Sequence, residues 1–248
     1  MFFEPTQFPD TLGIAGGLVV PLGFTSPPGG DFNSTKHVVN DHSYCCQLSA
    51  SMCAASEPSL DDAVVCRDWH DKRIGTRADD ARRYGVPLFI SEFGGCLNTT
   101  ACTQEITSVA EACDEHLAGW AYWQLKNYGD LTTSAGVNPE GIYNFDGTLQ
   151  EGKVRSLART YLLATQGVLK SMRFNSETAD FHASFVVDTT IPEPSILYKS
   201  DHFWYPNGFI LSVYDSQGNA LSVENGDYTL DIIPNYARFA VVRQSLNG

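Results

Sequence analysis

The segment Val86-Pro87-Leu88-Phe89-Ile90-Ser91-Glu92-Phe93-Gly94-Gly95 decides the reading of this chain. It is a short apolar run that ends in a glutamate and then in two glycines. A run of this length with polar residues on both sides predicts a fully buried, parallel strand. Glu92 stands at its C-terminal end, where parallel α/β proteins place their chemistry. Taken alone, a strand-end carboxylate serves equally well to cap the next helix or to pair with a basic residue. The neighbouring segments therefore carry the decision.

Working outward, Phe2-Phe3-Glu4-Pro5 is a strand end, followed by a long Gly/Pro-rich loop. His37 to Tyr44 predicts a strand running into a loop. A helical stretch lies within Ser59 to Tyr84, with Ser59 as N-cap, Asp62 three residues on, Gly75 as a point of interruption and Gly85 as the stop. Beyond Glu92, helical periodicity runs from Thr103 to His116, and Leu117 to Leu125 reads as the next strand. A helix over Lys153 to Thr165 closes the region, with Val154, Leu157, Ala158, Tyr161 and Leu162 on one face. Strand alternating with helix predicts a parallel sheet with covering helices. Four such units make half of an eight-stranded barrel. After Gly167 the period changes to two: Phe181, Ala183, Phe185 and Val187 share a face, as do Phe209, Leu211 and Val213, and Tyr228, Leu230 and Ile232. Turn residues separate these runs, which predicts a small antiparallel sandwich. The expected domains are 1–167 and 168–248.

Composition narrows the function. The 248 residues carry 29 acidic and 16 basic side chains, a formal charge of −13. A nucleic-acid partner is excluded, because phosphate binding needs clustered Lys and Arg. There is no apolar run near ~18 residues, and no basic-then-apolar leader pattern at the start. Seven cysteines fall in the first half, with no Cys-x-x-Cys pair to suggest zinc. Asn33-Ser34-Thr35 and Asn98-Thr99-Thr100 are glycosylation acceptors. Cysteines beside sequons point to an oxidising compartment. Proximity suggests Cys96 with Cys102 and Cys53 with Cys66.

The order of polar strand ends is the strongest signal. Glu4 ends the first strand, His42 and Tyr44 follow the second, Glu92 ends the third and Trp123 the fourth. His42-Ser43-Tyr44, Ser91-Glu92-Phe93-Gly94 and Gly119-Trp120-Ala121-Tyr122-Trp123 resemble barrel strands six, seven and eight of family five glycoside hydrolases. Within that family the chain is most similar to the endoglycoceramidase branch, through Glu140 to Gly147, Lys153 to Tyr161 and the C-terminal sandwich. The resemblance implies a partial (β/α)8 TIM barrel, strands five to eight, followed by a β-sandwich.

It also implies roles. Glu92 would be the nucleophile of a retaining mechanism and must be ionised to attack. Tyr44 would donate a hydrogen bond to that carboxylate, and His42 would join the same network or a sugar hydroxyl. Trp123 would offer a flat face to a pyranose ring, while Trp120, three residues earlier, points to the other side of the strand. Glu4, Lys126 and Asn127 are candidate substrate contacts. Asp130 and Glu140 read equally well as solvated loop charges. The implied substrate is a glycolipid or oligosaccharide, cleaved between glycan and ceramide. Membrane-surface contact would come through the substrate lipid, and the full-length form would be extracellular or lysosomal. No metal or organic cofactor is implied.

A retaining glycosidase needs a second carboxyl roughly 5 Å from the first. In the family this is the glutamate of an Asn-Glu-Pro motif, which these residues lack; Phe3-Glu4-Pro5 is the nearest string. The expectation is therefore a fragment or truncated form of low activity. A β-glucanase or glucosidase of the same family is the alternative. A non-catalytic protein that binds carbohydrate or a lipid surface through Tyr198, Trp204, Tyr205 and Tyr214 is another. Leu18, Val19, Val20, Leu22 and Phe24 form either a wall for the lipid or a loop packed on its own barrel.

Overall fold

The computed structural model describes residues 1–5, 19–47, 57–126, 134–135 and 138–242. It divides into two compact units, Met1–Leu157 and Ala158–Gly248. This seam lies ten residues before the Gly167 boundary expected from the sequence.

The first unit is built on four parallel strands in the order β1-β2-β3-β4. These are β1 Phe2–Phe3, β2 Val38–His42, β3 Leu88–Glu92 and β4 Gly119–Trp120. Phe2 pairs with Val38, Val39 with Leu88 and Phe89 with Gly119. Parallel order requires crossovers, and helices α1 Ala63–Tyr84 and α2 Thr100–His116 supply two of them. Val39, Leu88, Ile90, Ile74, Ile106 and Val109 form the core between sheet and helices. At ~25 cal/mol per Å², burying side chains of this size contributes about 1.5–3 kcal/mol each before entropy is counted.

α1 runs unbroken through Gly75. That glycine is a point of close approach rather than a break, since a Cβ there would stand 3.0 Å from the His116 ring of α2. Gly85 ends the helix in the left-handed region, φ 68°, and its N–H caps the Ala81 and Arg82 carbonyls. At the other end, Ser59 hydrogen-bonds the Asp62 side chain at 2.8 Å instead of a backbone N–H. α2 begins three residues earlier than its periodicity suggested, because Thr99 Oγ1 accepts the Cys102 N–H at 3.1 Å.

β4 has only two residues, where the apolar run predicted a strand to Leu125. Past Trp120 the chain leaves the ladder and returns for a single bridge, Gly94 to Trp123. A short hairpin, β5 Ser134–Ala135 and β6 Asn138–Pro139, follows. Helix α3 is Glu151–Leu157, so the expected helix to Thr165 is corrected. Tyr161, Leu162 and Leu163 lie instead in strand β7 Tyr161–Ala164 of the second unit.

The second unit is antiparallel. Strands β7, β10 Ser195–Tyr198, β13 Tyr228–Ile233 and β14 Tyr236–Val241 form one sheet in the order β13-β14-β10-β7. Hairpins β8 Gly167–Phe174 with β9 Phe181–Val187, and β11 Val213–Tyr214 with β12 Ala220–Leu221, form two further two-stranded sheets. Phe181, Phe185, Val187, Phe209 and Val213 pack on Leu197, Tyr228, Ala237 and Phe239. The predicted alternation holds for Phe181, Phe185 and Val187 and for Phe209, Leu211 and Val213, but Ala183 is exposed and β13 departs from it. There Tyr228 is buried while Leu230 and Ile232 are exposed, because β13 is an edge strand.

Candidate active site

Four strand ends bring the candidate residues together. Tyr44 Oη donates to Glu92 Oε1 at 2.9 Å. His42 Nδ1 lies 3.8 Å from the same oxygen, and His42 Nε2 lies 3.7 Å from Glu4 Oε2. Glu4 in turn accepts a hydrogen bond from Asn40 Nδ2. His42 thus stands between two carboxylates from β1 and β3. The Glu92 side chain is 29% exposed and that of Glu4 44% exposed, so solvent reaches both.

Tyr44 is held protonated well above the ordinary phenol range, first by burial, then by the Glu92 charge and its hydrogen bond to that carboxylate. It acts as a fixed donor and not as a base. A donor bound to a carboxylate fixes its rotamer and favours its charged form.

Trp123 reaches the site through the backbone. Its N–H donates to the Phe93 carbonyl at 2.8 Å, and its carbonyl accepts the Gly95 N–H at 2.7 Å. A Cβ at Gly95 would lie 3.8 Å from the Tyr44 ring and 3.9 Å from Trp123 Cδ1, so bare backbone occupies the space between the two aromatics. Gly94, at φ 101°, leaves no room for a side chain because a Cβ would run into the Tyr122 ring. Trp120 packs edge-on against Phe93, ring centres 5.6 Å apart.

Of the other candidates, Lys126 is exposed, and its backbone abuts Gly141. Asn127 and Asp130 lie outside the described residues, as does Leu18. Val19 packs with Cys45, Cys66 and Trp69, and Leu22 donates its N–H to Asp80 at 2.9 Å. That loop is therefore packed on its own scaffold at these points, while Val20 and Phe24 remain exposed.

Several supporting residues have no signature in the sequence. Each residue from Asp41 to Tyr44 is gripped by a side chain of α1. Arg73 donates to Asp41 Oδ1 and to the His42 carbonyl, both at 2.8 Å. Arg77 donates to Asp41 Oδ2 at 2.8 Å. His70 meets Ser43, and Trp69 Nε1 donates to the Tyr44 carbonyl at 3.2 Å. Behind the β3 and β4 ends, the fully buried Lys153 of α3 donates from Nζ to the carbonyls of Cys96, Glu140 and Gly141. Burial lowers its pKa to about 8, against the opposing pull of Glu57 and Glu140. Glu140 is pushed up by burial, with Lys153 opposing, so it is more than a solvated loop charge. Burial, with the Glu140 charge adding to it, also raises the Tyr122 phenol, whose Oη donates to the Glu140 carbonyl.

Cys96 pairs with Cys102 as proximity suggested. Cys66 pairs with Cys45 and not with Cys53, which lies outside the described residues. Cys45 follows Tyr44 directly, so this bridge ties the β2 end to α1. Among the described residues, the one cluster with metal-ligating atoms close enough together is Cys45, Cys66 and Glu105, and its two sulfurs are in that disulfide. No described helix is long and apolar enough to cross a membrane.

A tyrosine-braced glutamate, a histidine between two carboxylates and a tryptophan gathered at the C-terminal end of a parallel, helix-covered sheet are the arrangement of an α/β protein with its polar groups at the strand ends. The chain belongs to glycoside hydrolase family 5, a family of glycosidases: residues 22–129 match the family's cellulase model and residues 159–238 match its C-terminal domain. It is 26% identical over 194 residues to an endoglycoceramidase from Cyanea nozakii, across 77% of this chain and 35% of that protein. In fold it is similar to endo-glycoceramidase II from Rhodococcus sp. in its lactosyl-enzyme intermediate (TM-score 0.59, 19% identity, 98% of this chain and 46% of that one). The ganglioside GM3 complex of that enzyme gives the same TM-score at 18% identity, over 98% and 47% of the two chains. Cryptococcus neoformans sterylglucosidase 1 shares the fold at TM-score 0.57 and 10% identity, over 83% of this chain and 36% of that one. The chain thus spans about a third of the curated relative and about half of the bacterial enzyme.

Proposed function

We propose that this chain carries the nucleophile side of a retaining, endoglycoceramidase-type glycosidase. In this reading β1 to β4 correspond to strands five to eight of a (β/α)8 barrel, and Glu92 attacks the anomeric carbon of the sugar. Tyr44 holds the attacking carboxylate in place, Trp123 stacks against the ring, and His42 with Glu4 contacts hydroxyls or the aglycone side. The observation that carries this reading is the 2.9 Å Tyr44–Glu92 hydrogen bond at the open end of the parallel sheet, with His42 against the same oxygen.

Attack by Glu92 forms a glycosyl ester and expels the aglycone oxygen, which must take up a proton unless it is already a good leaving group. The Asn-Glu-Pro carboxyl that supplies this proton in the family is not in the sequence. The chain by itself should therefore attack activated glycosides and be poorly active on natural ones. The physiological bond would be the β-linkage between glycan and ceramide, with the lipid moiety bringing the enzyme to a membrane surface. The Cys45–Cys66 and Cys96–Cys102 disulfides favour an extracellular or lysosomal setting.

The test uses a 2-deoxy-2-fluoro glucoside with a dinitrophenyl leaving group, which needs no acid catalyst. Intact-mass analysis should find one added glycosyl group on Glu92, and Glu92→Gln should remove it. Tyr44→Phe should slow labelling roughly 10- to 100-fold, the worth of one hydrogen bond to a charged group. Absence of labelling at Glu92, or labelling elsewhere, would reject the assignment. Turnover of ganglioside, glucosylceramide and cellotetraose, compared in parallel, separates ceramide glycan cleavage from glucanase activity. The non-catalytic reading is weakened by the second unit: Tyr198 packs on Tyr161 and Tyr236, Trp204 on Phe174, and Tyr205 donates to the Ala179 carbonyl. Of the four aromatics only Tyr214 is exposed.

A further inference from the structure

Ser43 joins two networks. Its backbone N–H donates to the Glu92 carbonyl at 3.1 Å, and its two neighbours, His42 and Tyr44, are the side chains set against the Glu92 carboxylate. Its hydroxyl meets His70 Nδ1 of α1 at 2.7 Å. The other ring nitrogen of His70 lies 2.7 Å from Glu105 Oε1 of α2, and that oxygen also accepts the Cys45 N–H at 3.3 Å. His70 is fully buried, and Ser43 and Glu105 are nearly so.

A carboxylate can only accept, so His70 Nε2 carries a proton toward Glu105. In the neutral ring Nδ1 is then left to accept from the Ser43 hydroxyl. Ser43 Oγ, both ring nitrogens of His70 and Glu105 Oε1 each have a partner, and removing His70 takes a partner from each side. Stability alone does not require the array, since apolar residues of similar volume can fill such a layer as well or better. Directional bonds do what apolar packing cannot: they fix the rotation of the segment that carries His42 and Tyr44. A Ser-His-Glu trio also has the composition of a hydrolytic triad, but at 1% exposure Ser43 is not open to a substrate.

We propose that His70, held by Glu105, is a positioning residue that grips Ser43 and so sets how Tyr44 and His42 meet Glu92. Its catalytic consequence rests on Glu92 acting as the nucleophile; its geometric consequence does not, and the two are measured separately. In protein labelled with ¹³Cζ-tyrosine, Tyr44→Phe identifies the Tyr44 resonance. His70→Phe, which removes both ring nitrogens, should move that resonance, bring the Tyr44 titration back toward the ordinary phenol range and slow Glu92 labelling at least tenfold. His70→Asn, which keeps a polar atom near Nδ1, should restore the resonance. If His70→Phe does not fold, Ser43→Ala gives the same reading. A folded His70→Phe or Ser43→Ala protein with an unmoved Tyr44 resonance overturns the proposal. A wild-type protein that is not labelled at Glu92, with the resonance still moved by His70→Phe, rejects the nucleophile and leaves the positioning role standing.

Discussion

Helices α1 and α2 cover the same sheet, yet they bury opposite kinds of surface. α2 turns Ile106, Val109, Ala110 and Cys113 inward, with Glu105 at the end nearest the site. α1 turns Trp69, His70, Arg73, Arg77 and Asp80 inward among its apolar residues. Both helices hold the layer together, but α1 makes most of the directional bonds to the strand end that faces Glu92, and α2 adds one, with Glu105 accepting the Cys45 N–H. Buried charge costs free energy unless it is paired and fully hydrogen-bonded, and here Asp41 pairs with both arginines. Charge concentrated on one helix, at one end of the sheet, marks where geometry must be held and not merely filled.

Asp41→Ala should give the largest effect, since it leaves Arg73 and Arg77 buried without their shared carboxylate. A loss of about 3–5 kcal/mol in denaturant unfolding is expected. Protein that still folds in stabilising buffer should label at Glu92 more slowly. Ile106→Ala on α2 should cost about 2–4 kcal/mol through its cavity. Its labelling rate, measured where both proteins are folded, should stay near wild type. Equal labelling rates in the two variants would erase the distinction between the helices.

Lys153 sharpens the contrast through pH. Its folded pKa, about 8, is depressed below the ~10.4 of an unfolded lysine. Between these values the unfolded chain binds more protons than the folded one, so this group makes stability rise with pH across that window. Relative to Lys153→Met, wild-type unfolding free energy should gain up to about 3 kcal/mol from below pH 8 to above pH 10.4. A constant difference between the two would show that the buried amine does not titrate there. The smallest effect belongs to α2's own terminus: Thr99→Ala should cost about 1 kcal/mol by thermal unfolding and leave Glu92 labelling unchanged.

Glu92 and His42 were legible in the sequence because a strand end is marked locally, by an apolar run and the polar residue that stops it, whereas Tyr44 and Trp123 lie past their strand ends and were picked out through the family resemblance. Cys96 and Cys102 were legible because they stand only six residues apart. The α1 clamp was not, because helical periodicity is sought in apolar residues and this inner face is polar. Lys153 was hidden in a helix read as plainly amphipathic. Tyr161 and Leu162 fit a helical face as well as a strand, and only the pairing of Leu162 with Leu197 decides between them. Cys45 and Cys66 meet because the β2 end docks on α1, a contact that spacing along the chain does not encode.

Gly95 carries one more consequence. At φ 57° its backbone adopts a turn that other residues enter only with strain, and it lies where a methyl group would graze both Tyr44 and Trp123. The gap between those rings is therefore calibrated by an atom that is not there. Any side chain at this position would act as a shim between Tyr44 and Trp123, altering how the two aromatics sit while leaving both residues themselves unchanged.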